Sequence, residues 1–430
     1  MNSHLKRYFQ FFLVVLAAGS IYPLIYLRGA YQETILEVFG ITLSQLNGIY
    51  TALGLAFVIG YFPSGWLADK FSAKKLIFIS LLACGLAGLW FAQIPSYNMV
   101  VVIFVIWGIF SVFTFWSSHM KIVKMLAKKE EEGRFFGILD GGRGLVEAVL
   151  ATVALFIFTS VVGDGSSDML ALQSVIYMYS FIMIVVAFLI LFFVKEDAHA
   201  SEATKVEKKA KADPIKLNAE TFKKFLGNKY VWLLGGIIFF SYSLVWTMWY
   251  QGGFLQSVVN IDAVRVAQVM VVAMWMRPVG GILGGFLGDK VGKSNTLAAS
   301  LAIGAIGLVA LAVVPTAAPD FFFEALVVIV HLMIYSIRGL YWSLLGDCKI
   351  DESVLGLSIG FVSLLGYIPD FLSPVISTWM LSGFGDVRGQ NAFFIFNAGM
   401  GVLGIITIFI FKAGLKKDTA VGSKTEGNTN

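Results

Sequence analysis

Apolar residues in this chain gather into long uninterrupted runs, not into the alternation of a half-buried strand or the single stripe of a surface helix. Twelve runs of about 20 residues lie near 8–28, 45–68, 75–94, 97–118, 135–160, 170–194, 230–254, 264–288, 295–315, 321–345, 353–381 and 391–412. Each has the length a helix needs, at about 1.5 Å per residue, to cross roughly 30 Å of hydrocarbon. They are too long and continuous for the short strands of an outer-membrane barrel, so each is predicted to be a membrane-spanning helix. One long polar stretch, 195–229, separates spans 6 and 7; it carries nine basic and six acidic residues. Such a segment cannot bury enough apolar surface to fold alone, although parts suit an amphipathic helix on the membrane surface. The expected architecture is all-α and integral to the membrane: a six-helix bundle over 1–194, a central loop over 195–229, a second six-helix bundle over 230–415 and a disordered polar tail over 416–430.

Composition agrees with this reading. Hydrophobic residues make up 58% of the chain and charged ones 14%, against about 45–50% and about 25% in an ordinary soluble domain. The net charge of +5 is explained by where the cations fall. With the amino terminus placed in the cytoplasm, cytoplasmic segments hold 26 of the 32 Lys and Arg, Arg28, Arg265 and Arg388 are external, and three lie inside spans. The positive-inside rule therefore puts both termini in the cytoplasm of a multi-pass inner-membrane protein. The Lys-rich loop and tail become a topology signal, and no nucleic-acid partner is expected. Met1 to Arg7 and the run after it have the outline of a signal peptide. That run is longer than a signal's apolar core, and cleavage would leave five helices against six, so it is expected to be retained as span 1. Cys84 and Cys348 share no metal or redox spacing, and neither a disulfide framework, a metal site nor a cofactor is expected.

Two stretches are diverged copies of one another. Gly60–Lys70 and Gly280–Lys290 lie 220 residues apart, and each closes an apolar run with Gly-x-Leu-x-Asp-Lys. Phe115-Trp116-Ser117 at the end of span 4 recurs as Tyr341-Trp342-Ser343 at the end of span 10; Gly137 and Glu147 recur as Gly360 and Asp370 at an offset of 223. A repeat of half the chain length within apolar spans is the pattern of a two-half membrane transporter.

These features together resemble the major facilitator superfamily, over essentially the whole chain. The family's loop between helices 2 and 3 reads Gly-x-x-x-Asp-Arg/Lys-x-Gly-Arg/Lys-Arg/Lys. Here it is Gly65-Trp66-Leu67-Ala68-Asp69-Lys70-Phe71-Ser72-Ala73-Lys74-Lys75, with Ser72 where the family usually has Gly. The resemblance implies two pseudo-symmetric six-helix bundles that rock about a central site. Tyr26-Leu27-Arg28, followed by Ser44-Gln45-Leu46-Asn47-Gly48, is similar to the organophosphate:phosphate antiporter branch. In that branch an Arg of helix 1 grips phosphate together with an Arg of helix 7. Span 7 here has neither Arg nor Lys between Trp232 and Phe254, so the resemblance carries over only Arg28 as a substrate ligand.

The matched loops are read as a gate, formed by Gly65, Asp69, Lys70 and Lys74 in one half and Gly285, Asp289 and Lys290 in the other. An Asp at such a position can accept N–H bonds from a helix N-terminus and pair with a cation across the halves; the plainer reading is a solvated loop that supplies topology charge. Gly280, Gly281, Gly284, Gly285 and Gly288 allow close approach of neighbouring backbones.

Ionisable groups inside the hydrocarbon, which cost at least about 2.5–3.5 kcal/mol unless they face a cavity or a partner, point to the substrate site. Glu147, Arg277, His331 and Asp370 fall near the middle of spans 5, 8, 10 and 11, Arg143 and Arg338 nearer the cytoplasmic ends, and Arg28 and Glu324 nearer the outside. Glu147 and Asp370, at equivalent places in the two halves, are expected to face the cavity and to take up a proton, since burial raises a carboxyl pKa. Arg143 and Glu147, four residues apart, could instead satisfy one another. Arg277 suits a carboxylate, phosphate or sulfate group, or else pairs with Asp370 or Glu147. His331 is either a proton relay or a hydrogen-bonded helix residue. Four Args against three carboxylates tilt the cavity positive and predict an anionic substrate: a sugar acid, sugar phosphate or small carboxylate. Tyr22, Tyr26, Trp246, Tyr250 and Trp342 are candidates to line the same cavity with Arg28, Arg143, Arg277 and Arg338. The function expected is secondary transport, by proton symport or anion exchange, in a monomer. A drug:proton exporter and a non-transporting sensor of the same fold are the alternatives. No nucleotide-binding loop or catalytic signature is present in the sequence.

Overall fold

The computed structural model describes residues 3–127, 131–195, 226–350 and 355–426. The first half contains α1 (Ser3–Ser20), α2 (Arg28–Phe39), α3 (Leu43–Lys70), α4 (Ala73–Phe91), α5 (Tyr97–Gly108), a π-helical turn (Ile109–Thr114), α6 (Trp116–Leu126), α7 (Glu132–Gly163) and α8 (Asp168–Phe193). The second contains α9 (Lys229–Trp246), α10 (Met248–Ser257), α11 (Ala263–Val291), α12 (Lys293–Val313), α13 (Asp320–Leu340), a 3-10 stretch (Tyr341–Cys348), α14 (Leu355–Gly366), α15 (Pro369–Phe384) and α16 (Asp386–Glu426). Among the described residues eleven stretches are long and apolar enough to cross a membrane. The twelfth expected crossing, span 1, falls short because its helix stops at Ser20 and restarts at Arg28, with Pro23 in the gap.

Helix starts follow local chemistry. Thr42 and Gln45 form a reciprocal capping box at α3, and Ser72, Ser167 and Asp262 accept backbone N–H bonds at the starts of α4, α8 and α11, satisfying donors that have no partner inside the helix. Gly292, with φ of 99°, ends α11 in a conformation that favours glycine.

Several crossings are interrupted, and the breaks largely repeat between halves. Span 1 breaks between α1 and α2 and span 7 at Thr247, while span 4 passes through the π turn and span 10 ends in the 3-10 stretch. Phe115-Trp116-Ser117 is therefore a junction rather than an end, and span 4 continues to Leu126. Span 11 departs from the symmetry. Glu147 sits inside a continuous α7, but its counterpart Asp370 lies in the first turn of α15, after a break that Pro369 enforces.

The expected glycine stripe divides into two faces. A Cβ on Gly280, Gly284 or Gly288 would lie within 3 Å of α13, whereas Gly281 and Gly285 would meet nothing within 4 Å. At the chain's end, α16 continues to Glu426, through the first part of the expected tail. Within that extension Asp418 is held by Lys229 at 3.0 Å and by the Tyr230 hydroxyl. Most of the central loop, 196–225, lies outside the described residues.

Candidate functional site

Facing helices of the two halves leave a cavity between them, about 770 Å³ when the open space at its mouth is included. Three arginines and two carboxylates line it: Arg143, Arg277, Arg338, Glu147 and Asp370. Glu147 on α7 is shared. Arg143, one turn earlier, donates to its Oε1 at 3.1 Å, and Arg277 of α11 donates to its Oε2 from the other half. A second Arg277 nitrogen reaches Asp140 at 3.5 Å. Gly144 makes this crossing possible, because a Cβ there would sit 2.7 Å from the Arg277 side chain.

Asp370 is held differently. Its Oδ1 accepts from the Tyr242 hydroxyl at 2.8 Å and from Trp246 Nε1 at 2.9 Å. Oδ2 is buried without a hydrogen-bond partner among the described residues, and the residue is 1% exposed. Arg338 lines the same cavity and has no ion pair among the described residues.

The starts of α1 and α7 lie on one face, where Arg7 pairs at 2.7 Å with Glu131. Asp140, two turns into α7 from that face, is 73% exposed. The opposite face is sealed where α2 meets α10. Tyr26 stacks on Trp249 with ring centroids 4.2 Å apart and planes inclined by 13°. Gly252 comes so close to Gly29 that a Cβ on it would lie 2.1 Å from the Gly29 carbonyl oxygen.

Arg28 sits inside this seal, fully buried and outside the cavity lining. It donates to Asn47 at 2.9 Å and Gln32 at 2.6 Å, and its guanidinium lies 4.9 Å from the Tyr50 ring centre and 4.1 Å from that of Tyr250. Asn47 in turn donates to Ser377 of the other half at 3.1 Å. A cation in this position ties the two halves together through uncharged partners.

Of the other expected site residues, Tyr22 and Tyr26 line the cavity. Arg143 lies 4.7 Å above the Tyr22 ring. Trp246 serves Asp370, Trp342 donates to Tyr367 at 2.8 Å, and Tyr250 belongs to the seal. His331 is buried with Nδ1 3.0 Å from the Val327 carbonyl of its own helix. At the loops, Asp289 and Lys290 are exposed with no ion pair among the described residues, and the Lys70 ammonium lies 4.8 Å from the Trp66 ring. Ser72 caps α4; the Asp69 side chain lies outside what the structure describes. Sequence reasoning missed Tyr242, Trp116 and Asp140. The two aromatics carry no signal among so many, but Asp140 had one: with Arg143 and Glu147 it makes an i, i+3, i+7 stripe on one helix face.

The chain belongs to the major facilitator superfamily, whose family model matches residues 8–368. Among curated relatives, inner membrane protein YqcE of Escherichia coli K12 is 26% identical over 425 residues, covering 97% of each chain. Inner membrane protein YihN of the same strain is 28% identical over 368 residues, 85% of each. Among solved structures, a bacterial homolog of the human lysosomal transporter Spinster, inward-facing and unoccupied, aligns with a TM-score of 0.74 at 14% identity, over 97% of this chain and 99% of that one. The nucleoside transporter NupG aligns with a TM-score of 0.66 at 14% identity, over 96% and 99%. This protein is thus a multi-pass membrane transporter for a small molecule.

Proposed function

We propose that the protein carries a small organic anion across the cytoplasmic membrane by alternating access, driven by a proton gradient or by exchange against a second anion. The observation that carries this reading is the charge balance of the cavity. Arg143 and Arg277 share Glu147, while Arg338 lines the same space with no ion pair among the described residues. A guanidinium inside a span without an ion pair is costly, and a carboxylate or phosphate of the substrate supplies a partner in a geometry that guanidinium matches. With the termini in the cytoplasm, as the distribution of Lys and Arg supports, the open mouth faces inward.

Proton coupling falls to Glu147 and Asp370, the two carboxylates of the cavity. His331, bonded to its own helix, lies apart from them. The loops at Gly65, Asp69, Lys70 and Lys74 and at Gly285, Asp289 and Lys290 would close the terminal face in the opposite state; the exposure of Asp289 and Lys290 supports this, because both are free to pair as the mouth narrows.

A thermal-shift screen of purified protein against organic anions and lipophilic cations tests the substrate class, since a ligand bound only by the folded state raises the melting temperature. Stabilisation by anions is expected. Stabilisation by cations alone would mean that the drug-exporter reading is right. Flux into proteoliposomes then separates a transporter from a sensor.

A further inference from the structure

We propose that the unpartnered Oδ2 of Asp370 is the docking point for a hydroxyl of the substrate, so that the cargo is a polyhydroxylated anion such as a sugar acid or sugar phosphate. This rests on the anion reading above and narrows it.

Asp370 is almost wholly enclosed, yet only one of its two oxygens is used: Oδ1 takes both the Tyr242 and the Trp246 protons, and Oδ2 has none. Leaving a buried carboxyl oxygen unmatched is unfavourable; the residue lines the central cavity, and Oδ2, closed to solvent in this state, becomes available to a bound molecule as the lining shifts around it. The break before α15 sets this up. Pro369 ends the preceding helix, placing Asp370 in the first turn of α15, and Tyr242 and Trp246 then fix the carboxyl group through the same oxygen. The side chain is thereby held with its second oxygen free.

A hydroxyl is the group that fits this atom in either protonation state, because it donates to a carboxylate and accepts from a carboxylic acid. A ligand ammonium could also pair with the ionised form, but Arg143, Arg277 and Arg338 share the cavity and repel a second cation. Rings complete the picture. Tyr26, Tyr61 and Tyr242 line the space near Asp370, and aromatic faces cover the apolar C–H surfaces of a sugar while leaving its hydroxyls to polar groups. A substrate would thus lie with its anionic group toward the arginines and a hydroxyl on Asp370.

Binding of matched probes to the purified full-length protein tests this. D-Gluconate and D-glucose 6-phosphate supply hydroxyls with a carboxylate or a phosphate head; hexanoate keeps a carboxylate and chain length without hydroxyls; 6-aminohexanoate adds an ammonium. At least one hydroxylated anion is expected to bind about tenfold or more tightly than hexanoate, as suits loss of one hydrogen bond to a charged group. Asp370→Asn is expected to shrink that ratio severalfold, a comparison in which any change common to both anions cancels, and the wild-type series decides the matter even if the variant does not fold. Equal binding of gluconate, glucose 6-phosphate and hexanoate overturns the hydroxyl assignment and leaves the anion reading standing, and preference for 6-aminohexanoate replaces the hydroxyl with a cation. If none of the four binds while lipophilic cations do, the anion reading itself has failed and this inference with it.

Discussion

Glu147 of the first half and Arg277 of the second, 130 residues apart in sequence, meet across the cavity as a direct ion pair, and Arg143 holds the other oxygen of the same carboxylate. Removing Glu147 strands both Arg143 and Arg277 in the cavity, whereas removing Arg277 leaves Glu147 with Arg143. A double-mutant cycle of Glu147→Gln and Arg277→Gln in thermal stability is therefore expected to show a coupling of roughly 0.5–3 kcal/mol. Additive losses would mean the pair is not formed in the resting protein.

Arg338 behaves as the complement of Arg277. It has no ion pair among the described residues, so Arg338→Gln is expected to leave the melting temperature nearly unchanged while weakening anion binding about tenfold or more. Arg277→Gln should lower both. Titration of an anionic ligand alongside an unliganded melting curve distinguishes the two variants.

The seal between α2 and α10 depends on backbone contact. With a Cβ on Gly252 placed 2.1 Å from the Gly29 carbonyl oxygen, Gly252→Ala should penalise the sealed state by about 1–3 kcal/mol and shift the population toward the opposite one. A cysteine at Ser377, which in the wild type is buried against Asn47, reports this shift. Its maleimide labelling in detergent should accelerate about tenfold in the Gly252→Ala background, against a low background from the buried Cys84 and Cys348. Unchanged labelling would show that the seal tolerates the methyl group.

Neighbouring glycines on α11 should respond in opposite ways. A Cβ on Gly284 would lie 2.5 Å from Ser336 Oγ and 3.1 Å from its Cα, and one on Gly285 meets nothing within 4 Å. Gly284→Ala is expected to destabilise by about 1–3 kcal/mol. Gly285→Ala should be neutral or stabilise slightly, because alanine is the better helix former by about 1 kcal/mol. Melting curves of the two variants provide the comparison.

Of the site, the sequence made legible which charges lie at membrane depth, since Glu147, Arg277 and Asp370 each interrupt an apolar run. It also offered Glu147 as a partner for both Arg143 and Arg277, and these are the contacts observed. It left Arg28 as an external cation, although the chain buries it completely between two tyrosine rings. The repeat made Asp370 an equivalent of Glu147, but Pro369 has no counterpart beside Glu147, where the preceding residue is Val146. The two carboxylates consequently sit in different backbone settings and take different partners.

By itself the sequence determined the solvent of the protein, the number and order of its apolar segments, the duplication and the identity of the charges within them. Each of these follows from local quantities: run length against bilayer thickness, and the cost of a charge in hydrocarbon. Only the tertiary structure decided which faces meet, and so why Arg277 answers Glu147, why Tyr242 and Trp246 converge on one oxygen of Asp370 and why Gly252 seals on Gly29. Lipid tails are as apolar as leucine, so helices in a membrane choose neighbours by shape and by polar contacts between distant segments. Hydropathy along a single chain carries little record of that choice.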